Sequence, residues 1–313
     1  MSASPIAQPA SRGPSHSIES LLLLLSTGGL LGAIFPVTKA AQGLGVAPLP
    51  WAFSMLAGAG LILALMARAK GAPVPVGGRY LRYFAASGFL SAALPNVVLF
   101  FVLPRLGAGL ASVVYTLPPI LTLLMALAVR IERPDRWRVA GIGLGFAGAL
   151  MIVGPRGSLP SPELAGWMAL AFVMPVSVAA GNVYRTMAWP PGAKSAALAA
   201  GTMLGGAAWV MLALVATGAV ADLPTLALAP GLAALQIAVT AFTYVLYFRL
   251  QVVAGPVYLS QIGYVMTAVG LGTGTLLFGE RYSLWVWSGA GVIVAGVMLV
   301  SFGRKLFAGK FAR

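Results

Sequence analysis

Residues 132–148 read ERPDRWRVAGIGLGFAG, and residues 280–296 read ERYSLWVWSGAGVIVAG. Laid over each other at an offset of 148 residues, they share Glu132-Arg133 with Glu280-Arg281, Trp137 with Trp285, Gly141 and Gly143 with Gly289 and Gly291, and Ala147-Gly148 with Ala295-Gly296. Upstream, without a gap, Gly107 meets Gly255 and Ser112 meets Ser260; a fainter echo at an offset of 149 sets Gly32-x-Ile34-Phe35 against Gly181-x-Val183-Tyr184. Glycines coincide easily in a chain that has 39 of them, but a Glu-Arg pair followed at a fixed distance by Trp does not. The chain therefore reads as two related halves.

Each half is built for a membrane. Of 313 residues, 59% are hydrophobic and 8% charged, with a mean hydropathy of +0.93; a soluble domain carries about a quarter charged residues. A hydrocarbon core about 30 Å thick takes roughly 20 helical residues to cross. Ten apolar runs have that length: 18–40, 48–67, 80–103, 106–129, 136–154, 164–187, 195–217, 230–250, 256–278 and 283–303. Residues 1–17 are polar and rich in Ser, Pro and Ala, and are expected to form a disordered tail. No small-x-small cleavage site follows 21–35, so that run is read as a retained first helix. The expected division is 18–154 for the first five-helix repeat, 155–303 for the second, and 304–313 for a basic tail.

Charge sets the expected orientation. With the N-terminus cytoplasmic and ten crossings, sixteen of the 20 Lys and Arg fall on the cytoplasmic side; Lys39, Arg105, Arg156 and Arg281 fall on the other. That asymmetry is the positive-inside pattern, and it needs an even number of spans to bring Arg313 back inside. Five spans per half is odd, so the second half enters the membrane upside down. The expected fold is thus all-α and polytopic, a five-plus-five inverted repeat with both termini cytoplasmic. Such repeats place a binding site near the midplane, with access alternating as the halves rock. The formal charge of +14 is spread in small groups between apolar runs, so nucleic acid is not an expected partner; membrane lipids and a small-molecule substrate are.

The motifs Gly32-Ala-Ile-Phe35-Pro-Val-Thr-Lys39, Gly181-Asn182-Val183-Tyr184-Arg185 and the two Glu-Arg-x3-Trp-x3-Gly half-ends resemble the EamA branch of the drug/metabolite transporter superfamily, over roughly 18–303. Leu31 and Ala33 stand where members often carry Trp and Asn. The resemblance implies ten helices in two inverted halves and export of small metabolites, often amino acids, without ATP. One subgroup exports aromatic amino acids, and no motif here fixes that assignment.

Polar side chains inside membrane helices tend to face protein or a watery cavity. Gln236, Thr240, Thr243, Tyr244, Tyr247 and Gln251 follow one helical face of the eighth span. Ser112, Tyr115, Thr116, Pro119 and Thr122 mark the fourth, Ser260, Gln261, Tyr264 and Thr267 the ninth, and Ser87, Ser91, Pro95 and Asn96 the third, with Thr38, Ser177, Asn182 and Tyr184 on the first and sixth. From these stripes the candidate substrate-binding residues are Asn96, Tyr115, Asn182, Tyr184, Thr240, Tyr244, Tyr247, Gln261 and Tyr264. Asn96 and Tyr244 are exact repeat mates near mid-depth. Lys39 is added as a partner for a substrate carboxylate, though a base at the far end of the first span also suits snorkelling. Pro95, Pro118, Pro119 and Pro175 each remove a helix hydrogen bond and are candidate hinges. The fifth and tenth spans, poor in polar residues, read as scaffold or a homodimer surface.

The chemistry that is missing narrows the reading. There is no Cys, and the one His, His16, lies in the tail. Glu19, Glu132, Asp135, Glu163, Asp222 and Glu280 all fall at helix ends or in loops, so no cofactor, metal site, catalytic residue or mid-membrane proton relay is expected. Gly143-x-Gly145-x-x-Gly148 spells a dinucleotide fingerprint without its strand and reads as helix packing instead. Trp51, Trp137, Trp167, Trp189, Trp285 and Trp287 read as interfacial anchors. The expected activity is a secondary transporter that exports small organic metabolites, amino acids foremost, across a bacterial inner membrane by facilitated diffusion or exchange. The alternatives are a channel-like facilitator and a non-transporting membrane receptor or enzyme.

Overall fold

A computed structural model describes residues 14–133, 135–153, 165–278 and 284–308, and these form helices with no strand among them. In order they are α1 (Pro14–Gly43), α2 (Pro48–Ala69), α3 (Gly78–Gly88), a π-helical turn (Phe89–Ala93), α4 (Leu94–Val114), α5 (Pro118–Ala128), α6 (Arg136–Val153), α7 (Ala165–Ala171), α8 (Val173–Met187), α9 (Ser195–Thr217), a 3-10 stretch (Ala219–Leu228), α10 (Pro230–Ser260), α11 (Ile262–Phe278) and α12 (Leu284–Ala308). Residues 1–13 of the expected N-terminal tail and the last half of the basic tail lie outside the described residues, as do Glu163 and Glu280-Arg281; residues 14–17, expected in the tail, fall in the start of α1.

Five segments are long and apolar enough to cross a membrane: Ile18–Gly43, Pro48–Ala69, Gly78–Leu106, Ser195–Thr217 and Pro230–Ser260. Shorter apolar helices, among them Pro118–Ala128 and Trp287–Val300, accompany them. The interruption expected between 103 and 106 is not there: α4 runs on through Pro104 to Val114, and the chain breaks at 115–117 instead. A proline costs a helix one hydrogen bond but is tolerated where neighbouring helices hold the turn. Comparable breaks fall at Phe172, between α7 and α8, and at Gln261, between α10 and α11, while α10 itself kinks at Gly255 (φ 80°) before Pro256.

Small residues draw the helices together, since packing rather than hydrophobicity drives association in lipid. Gly141 of α6 lies against Val300 and the Gly296 carbonyl of α12, and Gly148 against the Gly289 carbonyl. Of the glycines that spell a fingerprint, Gly148 meets α12 and Gly145 meets Tyr264 of α11, while Gly143 has nothing within 4 Å of an added Cβ. Gly60 seats Leu204 between α2 and α9, Gly88 meets the Gly205–Gly206 backbone between α3 and α9, and Gly28 and Gly32 seat Val265 and Val269 between α1 and α11. The exterior stays oily, with Leu61, Leu65, Leu212, Val215 and Phe242 each more than half exposed, whereas the polar face of α10 is buried throughout, from Gln236 to Gln251. A soluble monomer rarely shows so much apolar surface; a lipid-facing one must.

Two local devices shape the interior. In the π-helical turn the Leu94 N–H donates to Phe89, five residues back, so Pro95, lacking an N–H, leaves the Leu90 carbonyl without a helical donor. Ser177 of α8 donates to that carbonyl at 2.7 Å. Trp209, a residue with no reading from sequence, donates to the Ala85 carbonyl at 3.0 Å and lies 5.1 Å from the Phe89 ring. The second device is the meeting of two breaks: Gly263 packs directly on the Tyr115 carbonyl oxygen.

Beside the α10 kink, the Glu132 carboxylate stands 3.3 Å from where a Cβ on Gly255 would lie, and it accepts from Arg138 Nη1 at 2.9 Å. Burial lifts the Glu132 carboxyl above the usual carboxylate range, the Arg138 charge works against the lift, and Asp135 adds to it. A raised folded-state value stabilises the protein below the ordinary glutamate range, and that contribution is lost as pH rises through the raised value. Glu132→Gln, a mimic of the protonated form, is expected to match the wild type in acid and to gain on it toward neutrality. Thermal unfolding of both proteins from about pH 4 to 8 checks this, and parallel curves would dismiss it.

Candidate functional site

The α10 stripe, the start of α4 and the middle of α8 converge on a cavity of about 80 Å³. A cavity needs roughly 10–15 Å³ per water, so this one holds a handful of waters and a larger solute would enter only as its walls part. Its apolar lining comes from Leu31, Ile34 and Phe35 of α1, Leu99 of α4, and Ile262 and Met266 of α11. Its polar lining comes from Ser91 and Asn96, Tyr115 at the α4–α5 break, Asn182 of α8, and Tyr244, Tyr247 and Ser260 of α10.

Five of the sequence-derived candidates are brought together here: Asn96, Tyr115, Asn182, Tyr244 and Tyr247. Asn96 donates back to the Ala92 carbonyl at 2.7 Å, at the end of the π-helical turn, which holds its amide at the cavity edge. Tyr115 stands edge-on to Phe35, with ring centroids 6.1 Å apart, and Tyr244 stacks on Tyr247 at 5.3 Å. Pro95 and Pro118 also line the cavity; Pro119 is buried beside Pro118 in the first turn of α5, and Pro175 is buried in the first turn of α8.

The other candidates stand elsewhere. Tyr264 is buried, donates to the Ile142 carbonyl at 3.1 Å, and packs against Gly145, so it joins α11 to α6. Tyr184 stacks on Tyr83 at 6.0 Å. Thr240 and Gln261 are fully buried outside the cavity lining, with their side-chain polar atoms unpartnered. Lys39 is exposed near the end of α1.

Behind the Asn182–Tyr247 wall sits Arg185, fully buried. Its Nε donates to Gln251 Oε1 at 2.8 Å, and its Nη2 donates to Asn182 Oδ1 at 2.6 Å and to the Tyr247 hydroxyl at 2.8 Å. Tyr247 in turn donates to Asn182 Oδ1 at 2.8 Å. The guanidinium also lies over the Tyr247 and Phe248 rings, at 5.0 and 5.6 Å. The sequence reading placed Arg185 among the cytoplasmic bases at the end of a span. The signal that could have found it is its spacing of three from Asn182, which puts both on one face of α8.

Comparisons with known proteins agree with this architecture. A crystal structure of another protein covers 96% of this chain and 98% of its own, with a TM-score of 0.65 at 17% identity, a likeness of fold alone. The uncharacterized inner membrane transporter YedA of Escherichia coli (strain K12) is 31% identical over 211 residues, and proteins of that name from two further strains match equally. That match spans 65% of this chain and 65% of the relatives' own length. Residues 19–154 match the model of the EamA-like transporter family.

Proposed function

We propose that the chain is a secondary carrier of the inner membrane that exports small organic metabolites, amino acids foremost, by alternating access. Its frame is ten crossings in two halves of opposite orientation. The observation that carries this reading is the cavity itself: a small space with an aromatic and amide lining, supplied by α1 and α4 of the first half and by α8, α10 and α11 of the second. Further support comes from packing, since α2 lies against α9, α6 against α12 and α1 against α10 and α11, each contact joining one half to the other. A site shared between halves is the kind that rocking exposes first to one side and then to the other. The described carboxylates Glu19, Glu132, Asp135 and Asp222 are outside the cavity lining, which favours exchange or facilitated diffusion over carboxylate-based proton coupling.

The test is counterflow of radiolabelled amino acids in proteoliposomes, for the wild type and Tyr244→Ala. Saturable exchange that falls at least about tenfold in the variant, equivalent to about 1.4 kcal/mol, is the expected result. Flux that never saturates would turn the reading to a channel, and flux unchanged in Tyr244→Ala would move the site away from this cavity.

A further inference from the structure

The Arg185 cluster holds a cation and no anion. Every hydrogen-bond partner of the guanidinium is neutral: Gln251, Asn182 and Tyr247. Among the described residues no carboxylate reaches it; Glu132 and Glu19 pair with Arg138 and Arg249 instead. A buried charge is costly unless it is paired, and an ionisable group within the apolar interior of a membrane protein marks a functional site by default. Two donors are also left over. Arg185 Nη1 and Asn182 Nδ2 are both buried without a hydrogen-bond partner, while Asn182 Oδ1 already accepts from Arg185 and Tyr247. The two bonds on Oδ1 fix the amide, so its unused face can only donate. Asn182 and Tyr247 line the cavity, and Arg185 stands behind them, outside the lining, so a ligand meets the guanidinium as that wall parts.

From this geometry we infer that the Arg185–Asn182 pair is the anion subsite of the cavity, and that its ligand is a small organic monocarboxylate. An acceptor-only group is what two unsatisfied donors require, and a carboxylate supplies it in a planar form that suits a guanidinium. One cation calls for one negative charge, so phosphate esters and dicarboxylates are excluded by charge, and organic cations by its sign. Phe35, Leu99 and Met266, with the ring face of Tyr244, offer an apolar wall to the carbon skeleton. The inference rests on the carrier reading for how ligand reaches the cavity, but binding tests it without transport.

The experiment is thermal unfolding of the full chain in detergent, at constant ionic strength. The probes are benzoate, lactate and L-phenylalanine, set against benzamide and phenylalaninol, which keep the ring and lose the carboxylate. At least one carboxylate is expected to raise the Tm by about 3 °C, with no rise from the uncharged or aminoalcohol counterparts. Asn182→Asp builds the missing anion into the wall; its ligand-free Tm is expected to exceed the wild type's and the carboxylate shift to vanish. Gln251→Glu, placed on the Nε side and outside the cavity lining, repeats the test should Asn182→Asp fail to fold. No shift with any carboxylate, an equal shift with benzamide or phenylalaninol, or a shift that survives in both variants would overturn the inference. Counterflow that succeeds with phenylalaninol would overturn it as well, and leave the carrier reading standing.

Discussion

Gly263→Ala is expected to yield a protein that unfolds many degrees below the wild type, or that fails to accumulate. The added Cβ would land on the carbonyl oxygen of Tyr115. That atom belongs to the backbone at the α4–α5 break and cannot rotate away as a side chain does. Overpacking costs about 1–3 kcal/mol even where side chains can yield, and this site has no such outlet, so a loss of about 3 kcal/mol or more is expected. Parting the two breaks would also pull Tyr115 and Ile262 away from the cavity they line. Thermal unfolding of the purified variant measures the effect. Gly270→Ala is the control, because nothing stands within 4 Å of its added Cβ; it should lie within about 0.5 kcal/mol of the wild type, and equal losses in both would refute the contact argument.

Trp51→Ala is expected to cost about 3–5 kcal/mol, as large aromatic truncations in a packed interior do. Trp51 of α2 has no exposed surface, and its indole Nε1 donates to Thr38 Oγ1 of α1 at 3.1 Å. The truncation therefore opens a cavity and removes the bond between two helices at once. Trp51→Phe should cost visibly less, since it keeps most of the volume and loses only the donor. Equal stability of the wild type and Trp51→Ala in detergent would return this residue to the interfacial role its position in the sequence suggests.

Trp51 also shows where reading the chain stops. A Trp near the start of an apolar run fits a lipid anchor and a buried helix contact equally well, and only the neighbouring helix decides. The α10 stripe was legible because six polar residues at helical spacing have one physical interpretation, an inward face. Which parts of that face meet a cavity was not: Thr240 and Tyr247 share it, yet only Tyr247 reaches the lining. Arg185 stayed hidden because a base near the end of a span ordinarily reaches for water, and its true partners, Tyr247 and Gln251, lie 62 and 66 residues away. One helix break fell elsewhere than expected: α4 continues through the exposed Pro104 and the chain breaks at 115–117, directly before Pro118 and Pro119, so of two proline signals on this stretch only the second ends a helix.

The π-helical turn at Phe89–Ala93 makes the third span sensitive to counting. Each residue of an α-helix advances the chain by about 100° around its axis, and a π turn accommodates an extra residue without breaking the run. A deletion of one residue there would leave a sequence just as apolar and just as helical. It would nonetheless swing Asn96 and Leu99 by roughly a quarter turn or more relative to Phe84 and Gly88, which are seated on α9. Exchange of one apolar residue for another along this segment is a matter of volume, but a change in its length re-aims the cavity wall. Lineages related to this chain should therefore differ here by substitution and not by insertion or deletion.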